Sequence, residues 1–241
     1  KRKGNLGVSP ALYPVYSGGE EGKIVIVTES LRATTPMGAA LKNGEKAIIP
    51  VASIEEAKEY KAKGYLVGAE RNVKRCDFAD FGNSPFDYTA DKIAGKEVVF
   101  TTTNGTQAIE MARKADTRLI GAFSNISAVA EFCIKQQKDV IVLCAGWNNR
   151  FNIEDTLFGG ALAQKLIDGG YTHSSDAAYI ALSMWKEAKK DIRGYIDNTE
   201  HIKRLVANNL QNSVEYCLME DTVNLVPVYD KERKILVTRN Q

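Results

Sequence analysis

Short apolar runs recur along the chain, each followed by a polar, glycine-marked junction and then by a stretch with helical spacing. Ile24-Val25-Ile26-Val27 and Val140-Ile141-Val142-Leu143-Cys144 are unbroken and rich in β-branched residues, the pattern of strands buried on both faces. Lys46-Ala47-Ile48-Ile49-Pro50-Val51, Tyr65-Leu66-Val67, Val98-Val99-Phe100-Thr101 and Leu119-Ile120-Gly121 extend the series. Between the runs lie helix signals. Thr35 before Pro36 reads as a hydroxyl cap and a first-turn proline, opening a helix to about Asn43 that Gly44 ends. Ser53-Ile54-Glu55-Glu56 is a capping box for a helix that stops at Gly64. Further helices are expected near residues 86–94, from Thr102 to about Ala115, from Asn125 to Gln137, from Ile153 to Gly169-Gly170, from the cap Ser174-Ser175-Asp176 to Lys189, and over 200–209. Residues 223–229 and Ile235-Leu236-Val237, around a turn at 230–233, read as a C-terminal β-hairpin. Residues 1–22, with Pro10, Pro14 and Gly18-Gly19, read as an irregular arm carrying a short extended piece near 12–15.

Strands alternating with helices predict the α/β class, with a mostly parallel central sheet covered on both faces. A length of 241 residues suits a single α/β domain over 1–241. Thirty-two basic against thirty acidic residues leave a net charge of +2, too balanced to suggest nucleic acid or an anionic membrane as partner. No apolar run approaches a membrane span, and Lys1-Arg2-Lys3-Gly4 is not followed by the apolar stretch of a secretory signal. Cys76, Cys133, Cys144 and Cys217 form no C-x-x-C pair, so reduced thiols and a cytoplasmic location are expected. His173 and His201 lie in polar sequence near expected helix starts and read as surface residues.

In parallel α/β sheets, ligands bind beyond the carboxyl ends of strands, and the polar junctions here leave such ends. The stretch after Val67 is the most marked. Residues 68–85 hold Glu70, Asp77, Asp80, Arg71, Arg75 and the bend Gly82-Asn83-Ser84-Pro85, and a long polar loop in this pattern tends to carry function. Carboxylates suit a hard cation, and arginines fork onto anions. Thr101-Thr102-Thr103-Asn104-Gly105-Thr106 places hydroxyls and backbone amides where a helix dipole favours an anion; threonines that only cap the helix are the equal alternative. Arg32-Ala33-Thr34-Thr35 repeats the theme after the first strand, and Glu154-Asp155 open the helix after the sixth.

Cys144 and Arg150 have the C-x₅-R spacing of cysteine phosphatases, in which a thiolate attacks phosphorus. Trp147 and two asparagines make a poor phosphate cradle, and a strand-end core thiol is the better reading. There is no G-x-x-x-x-G-K-[ST] loop, no G-x-G-x-x-G, no D-x-D after a strand and no H-E-x-x-H.

Ser30-Leu31-Arg32-Ala33-Thr34-Thr35, Gly68-Ala69-Glu70-Arg71-Asn72, Asp80-Phe81-Gly82-Asn83-Ser84-Pro85, the Thr101 to Thr106 block, and Cys144-Ala145-Gly146 with Glu154-Asp155 together resemble the 2-phosphosulfolactate phosphatase family, over about residues 20–230. The resemblance implies a three-layer α/β/α fold and Mg²⁺-dependent hydrolysis of 2-phosphosulfolactate to sulfolactate and phosphate, a step towards coenzyme M. Two positions depart from the family pattern: Glu29 stands where aspartate is usual, and Val73 where glycine usually follows Glu-Arg-Asn. On this reading Mg²⁺ is held by members of the set Glu29, Glu70, Glu154 and Asp155. Arg32 and Arg71 grip the anionic groups of a small phosphorylated acid. Thr34, Thr35, Asn83, Ser84, Thr102, Thr103, Asn104, Gly105 and Thr106 surround the phosphate, and Asp80 is either general base or a brace for its loop. The other readings are the cysteine phosphatase and a non-catalytic binder of phosphorylated metabolites. Assembly into a homo-oligomer stays open.

Overall fold

Each unbroken apolar run forms a strand, and the polar junctions gather where strands end. The computed structural model describes residues 2–7, 19–173 and 175–239. Its strands are β1 (Lys3–Gly7), β2 (Ile24–Thr28), β3 (Ala47–Pro50), β4 (Leu66–Arg71), β5 (Lys74–Arg75), β6 (Glu97–Thr101), β7 (Thr117–Ile120), β8 (Val140–Cys144), β9 (Thr172–His173), β10 (Val226–Asp230) and β11 (Ile235–Arg239). The helices are α1 (Thr34–Lys42), α2 (Ile54–Ala62), α3 (Ala90–Ile93), α4 (Gly105–Met111), α5 (Ile126–Gln136), α6 (Ile153–Asp168), α7 (Asp176–Ala188), α8 (Ile192–Ile196), α9 (Glu200–Ala207) and α10 (Val214–Leu218).

All eleven strands join one sheet in the order β5-β4-β6-β3-β11-β10-β7-β2-β8-β1-β9. β4, β6 and β3 pair in parallel, as do β7, β2, β8, β1 and β9. The hairpin β10–β11 lies between these halves and pairs antiparallel on both flanks, through Val228 opposite Leu119 and Leu236 opposite Ile48. Three antiparallel steps therefore separate β3 from β7, and the two parallel halves run in opposite senses. Five steps separate β6 from β2, and a twist of roughly 20–25° per step accumulates to about 100–125° over that span. That rotation brings the carboxyl end of β6 towards that of β2, although topology alone would place them on opposite edges.

Alternate strand residues face different layers, the period of two expected of a pleated sheet. Ile24, Ile26, Leu119, Val140 and Val142 pack under α5, α6 and α7. Val25, Val27, Ile141 and Leu143 face the opposite way and share a core with Ile48, Val98, Phe100 and Leu236 and with Met37, Ala40, Ala108 and Ile109 of α1 and α4. A third cluster, including Ile49, Val67 and Val99, lies under Ala57 of α2. The result is the three-layer α/β/α arrangement. The close approach of α6 and α7 depends on Gly160, where a Cβ would come within 2.1 Å of the Ala181 carbonyl oxygen.

Several local expectations are corrected. The arm over 1–22 contains a strand, β1, which pairs with β8 and β9 near the edge of the sheet; the extended piece expected near 12–15 lies outside the described residues. The loop after Val67 is not structureless, because β4 continues to Arg71 and turns back into β5. α1 starts at Thr34, two residues before the expected first helical residue Pro36, and the Thr35 hydroxyl donates to the Ser30 carbonyl instead of capping. Ser53 does cap α2, accepting from the Glu56 amide.

Candidate active site

Asp155 fastens the ends of β2 and β8 together. It sits in the first turn of α6, where Asn152 caps the helix by accepting from the Asp155 amide. Its Oδ1 accepts from the Ser30 amide at 2.9 Å, and its Oδ2 accepts from the Gly146 amide and Asn152 Nδ2, each at 3.2 Å. Complete burial nevertheless raises its pKa to about 7, with Glu154 adding to the rise and these hydrogen bonds opposing it.

Glu29 lies beside it, directly after β2. Its amide donates to Thr34 Oγ1 at 3.1 Å, which fixes the turn into α1. The side chain is 4% exposed, and Oε2 has no hydrogen-bond partner among the described residues. Burial first, and then the charges of Glu70 and Asp155, hold the carboxyl well above the ordinary range, while Arg32 and the Gly105 amide pull it down. Gly105 leaves room for this carboxyl: a Cβ there would stand 2.8 Å from Oε2. Arg32 is equally buried. One of its terminal nitrogens donates to the Val73 carbonyl at 3.3 Å, and its Nε is unpartnered.

Glu70 closes the other side. Its Oε1 accepts from the Val73 amide and the Thr103 hydroxyl, each at 2.8 Å, and its Oε2 accepts from Asn83 Nδ2 at 2.9 Å. Thr103 also accepts from the Asn72 amide. Asn72 and Val73 both have positive φ, 51° and 65°, as a two-residue type I′ hairpin requires. Glycine is the residue that the resemblance implies at the second position of this turn, and here a valine takes the positive φ. Asn83 Oδ1 remains without a partner. Asn104 Oδ1 accepts from the Asn148 amide at 3.0 Å, leaving Nδ2 unpartnered.

The structure thus gathers Glu29, Arg32, Glu70, Asn83, Thr103, Asn104 and Asp155 from both halves of the sheet. Two donors (Arg32 Nε, Asn104 Nδ2) and two acceptors (Glu29 Oε2, Asn83 Oδ1) are buried and unfilled, and buried polar atoms rarely remain so without a ligand or water.

Other expected residues serve the frame. The Thr102 hydroxyl accepts from the Gly105 and Thr106 amides, and the Thr106 hydroxyl is held by the Thr102 backbone. Arg71 donates to the Glu70 carbonyl and to Thr101 Oγ1, tying β4 to β6. Asp80 is a brace: it pairs with Lys61 at 2.6 Å and accepts from the Val67 amide at 2.9 Å. Ser84 accepts from the Phe86 amide. Glu154 points away from the cluster and accepts from the Thr199 hydroxyl at 2.6 Å. Cys144 is fully buried, and burial first and Asp155 second raise its thiol pKa, opposite to what a phosphatase nucleophile needs. His201 is corrected as well. It is 5% exposed, on the inner side of α9, and burial, Arg204 and Arg32 lower its pKa to about 3.

Among the described residues no three carboxylate, histidine or cysteine side chains are grouped as a metal cage. Mg²⁺ commonly takes only one or two protein carboxylates and completes its shell with water and phosphate. The free oxygens of Glu29 and Asn83, with the charges of Glu70 and Asp155 nearby, are a donor set of that hard type. No helix among the described residues is long and apolar enough to cross a membrane.

A family model described as 2-phosphosulpholactate phosphatase matches residues 15–232. The chain is 38% identical over 207 residues to a Thermotoga maritima protein named "Probable 2-phosphosulfolactate phosphatase", covering 86% of this chain and 89% of that protein. It is 37% identical over 214 residues to a protein of the same name from Clostridium acetobutylicum, covering 87% and 90%. A third with that name, from Caldanaerobacter subterraneus subsp. tengcongensis, is 34% identical over 209 residues. With the expected sequence blocks gathered at one rim and these matches spanning most of the chain, the protein belongs to the 2-phosphosulpholactate phosphatase family.

Proposed function

We propose that this protein is a Mg²⁺-dependent phosphatase that hydrolyses 2-phosphosulfolactate to sulfolactate and phosphate. The observation that carries the reading is the set of unfilled buried atoms, two donors and two acceptors, on Arg32, Asn104, Glu29 and Asn83. Arg32 and Asn104 donate to phosphoryl oxygens, where fixed donors stabilise charge that develops as the ester bond breaks. Glu29 and Asn83 hold the cation, with Glu70 kept in place by Val73, Thr103 and Asn83. When bound, Mg²⁺ supplies charge neutralisation at the phosphate and a more acidic water. Asp155, with its pKa at about 7, can in its ionised form take a proton from the attacking water and then pass it to the departing alkoxide.

Phosphate release from 2-phosphosulfolactate, measured with Mg²⁺ and with EDTA, tests the proposal. Turnover with Mg²⁺, its loss in EDTA, and a fall of about a hundredfold or more in Glu29→Gln are expected. Full turnover in EDTA, or an unimpaired Glu29→Gln enzyme, would overturn it. Tight substrate binding without phosphate release at any metal concentration would favour the non-catalytic binder.

A further inference from the structure

A cavity of about 350 Å³ opens at the bend that follows β8, lined among others by Trp147, Arg150, Glu154, Thr199, His201 and Arg204. The bend is a tight turn in which Asn148 and Asn149 have φ of 47° and 62°, and Trp147 and Arg150 exchange backbone hydrogen bonds of 3.0 and 2.8 Å. It presents Trp147 and Arg150 to this cavity while its Asn148 amide bonds Asn104 of the active site. The bend therefore borders both the cavity and the active site. The charge of Arg32 is felt at His201, and of the neighbours on α6 Glu154 faces the cavity and Asp155 the active site.

The cavity's polar groups are set for an anion. The Arg204 guanidinium lies over the Trp147 ring at 4.1 Å, and its Nε has no partner. The His201 ring meets the same indole edge-on at 6.3 Å, and its Nε2 is buried and unpartnered. A neutral imidazole with the proton on Nε2 is a donor. Of the two acids at the border, Glu154 has its carboxyl capped by Thr199, and burial raises its pKa. Glu200 stands at the exposed rim, 3.6 Å from Arg204.

We infer that this cavity is the specificity pocket for the sulfonate end of the substrate, with Arg204 and His201 donating to the sulfonate oxygens and Arg150 at its mouth, while the phosphate end sits among Glu29, Arg32 and Asn104. A sulfonate presents three oxygens in a pyramid and keeps its charge at every working pH, so it suits a guanidinium and an imidazole converging from two directions. The inference rests on the phosphatase reading above for its substrate.

The test compares wild type, Arg204→Met and His201→Gln on 2-phosphosulfolactate and on 2-phospholactate, which has a hydrogen in place of the sulfonate. Methionine keeps the apolar bulk over Trp147. Each variant is expected to raise KM for 2-phosphosulfolactate by about tenfold to a hundredfold, the range for losing a charged hydrogen bond, while kcat/KM on 2-phospholactate stays within about twofold. Equal losses on both substrates would overturn the assignment. Calorimetric binding of sulfolactate, which lacks the phosphate, separates this inference from the reading it rests on. If wild type hydrolyses neither ester, the phosphatase reading fails; weaker sulfolactate binding in Arg204→Met would still uphold the pocket, and unchanged binding would remove it. Melting curves identify a variant that has not folded, in which case the other variant decides.

Discussion

Val73 holds a backbone conformation that costs a non-glycine residue roughly 1–2 kcal/mol, with φ at 65°. Its amide and carbonyl reach Glu70 and Arg32, so the strained turn is also the strut between two site residues. Alanine at this position keeps most of the strain and loses the buried methyls; glycine loses the methyls but relieves the strain. Val73→Gly is therefore expected to be less destabilising than Val73→Ala, by about 1 kcal/mol in urea unfolding; the reverse order would refute the strain. Asp155 yields a pH prediction. With its pKa raised from 3.8 to about 7, the folded chain binds more protons than the unfolded one across that window, and its contribution to stability falls as pH rises. His201 acts with the opposite sign, because its pKa is lowered from 6.5 to about 3, so the variant must be compared with wild type at each pH. In EDTA, Asp155→Asn should gain on wild type in melting temperature as pH rises from about 5 to about 8; a constant difference would show that the carboxyl's pKa is not raised. Glu29, Arg32, Asn83 and Asn104 were legible because each lies in a polar block at a strand end. Glu154 was misassigned alongside Asp155, since consecutive helix residues point about 100° apart. His201 was misjudged from its charged neighbours, although His201, Ile202 and Leu205 form the buried face of α9.

At the level of elements, α6 and α7 approach closely at Gly160. The 2.1 Å gap left for a Cβ at Gly160 is bounded by the Ala181 carbonyl oxygen, which cannot rotate aside. Gly160→Ala should cost about 1–3 kcal/mol by forcing the helices apart, in spite of alanine's better helix propensity. A variant as stable as wild type in urea would mean that this contact yields freely. The long helices and buried strands were readable from their periodicity and caps. β1 was not, because Lys3-Gly4-Asn5-Leu6-Gly7 has no apolar alternation and is recruited to the sheet through its backbone pairing with β8. The β4–β5 hairpin was hidden for a related reason. Charged residues at its tip read as loop, and Asn-Val is a weaker turn signal than Asn-Gly.

Across the whole molecule, β10 and β11 are the seam between two oppositely directed half-sheets. No local pattern announces that role; the run reads as an ordinary hairpin, and its place at the centre is set by long-range pairing. Leu236 is fully buried there and packs with residues of both halves. Leu236→Ala should cost about 2–5 kcal/mol, and hydrogen exchange should show β2 and β6 losing protection together; loss confined to one half would mean that the halves are independent. The seam also follows every other described strand in chain order. A ribosome therefore releases Glu29 and Glu70 long before it releases the strands that hold their halves together, and until then a growing polypeptide carries two unfinished sheet edges. Catalytic competence would then appear abruptly, when the β10–β11 hairpin slots in, rather than gradually as the chain lengthens.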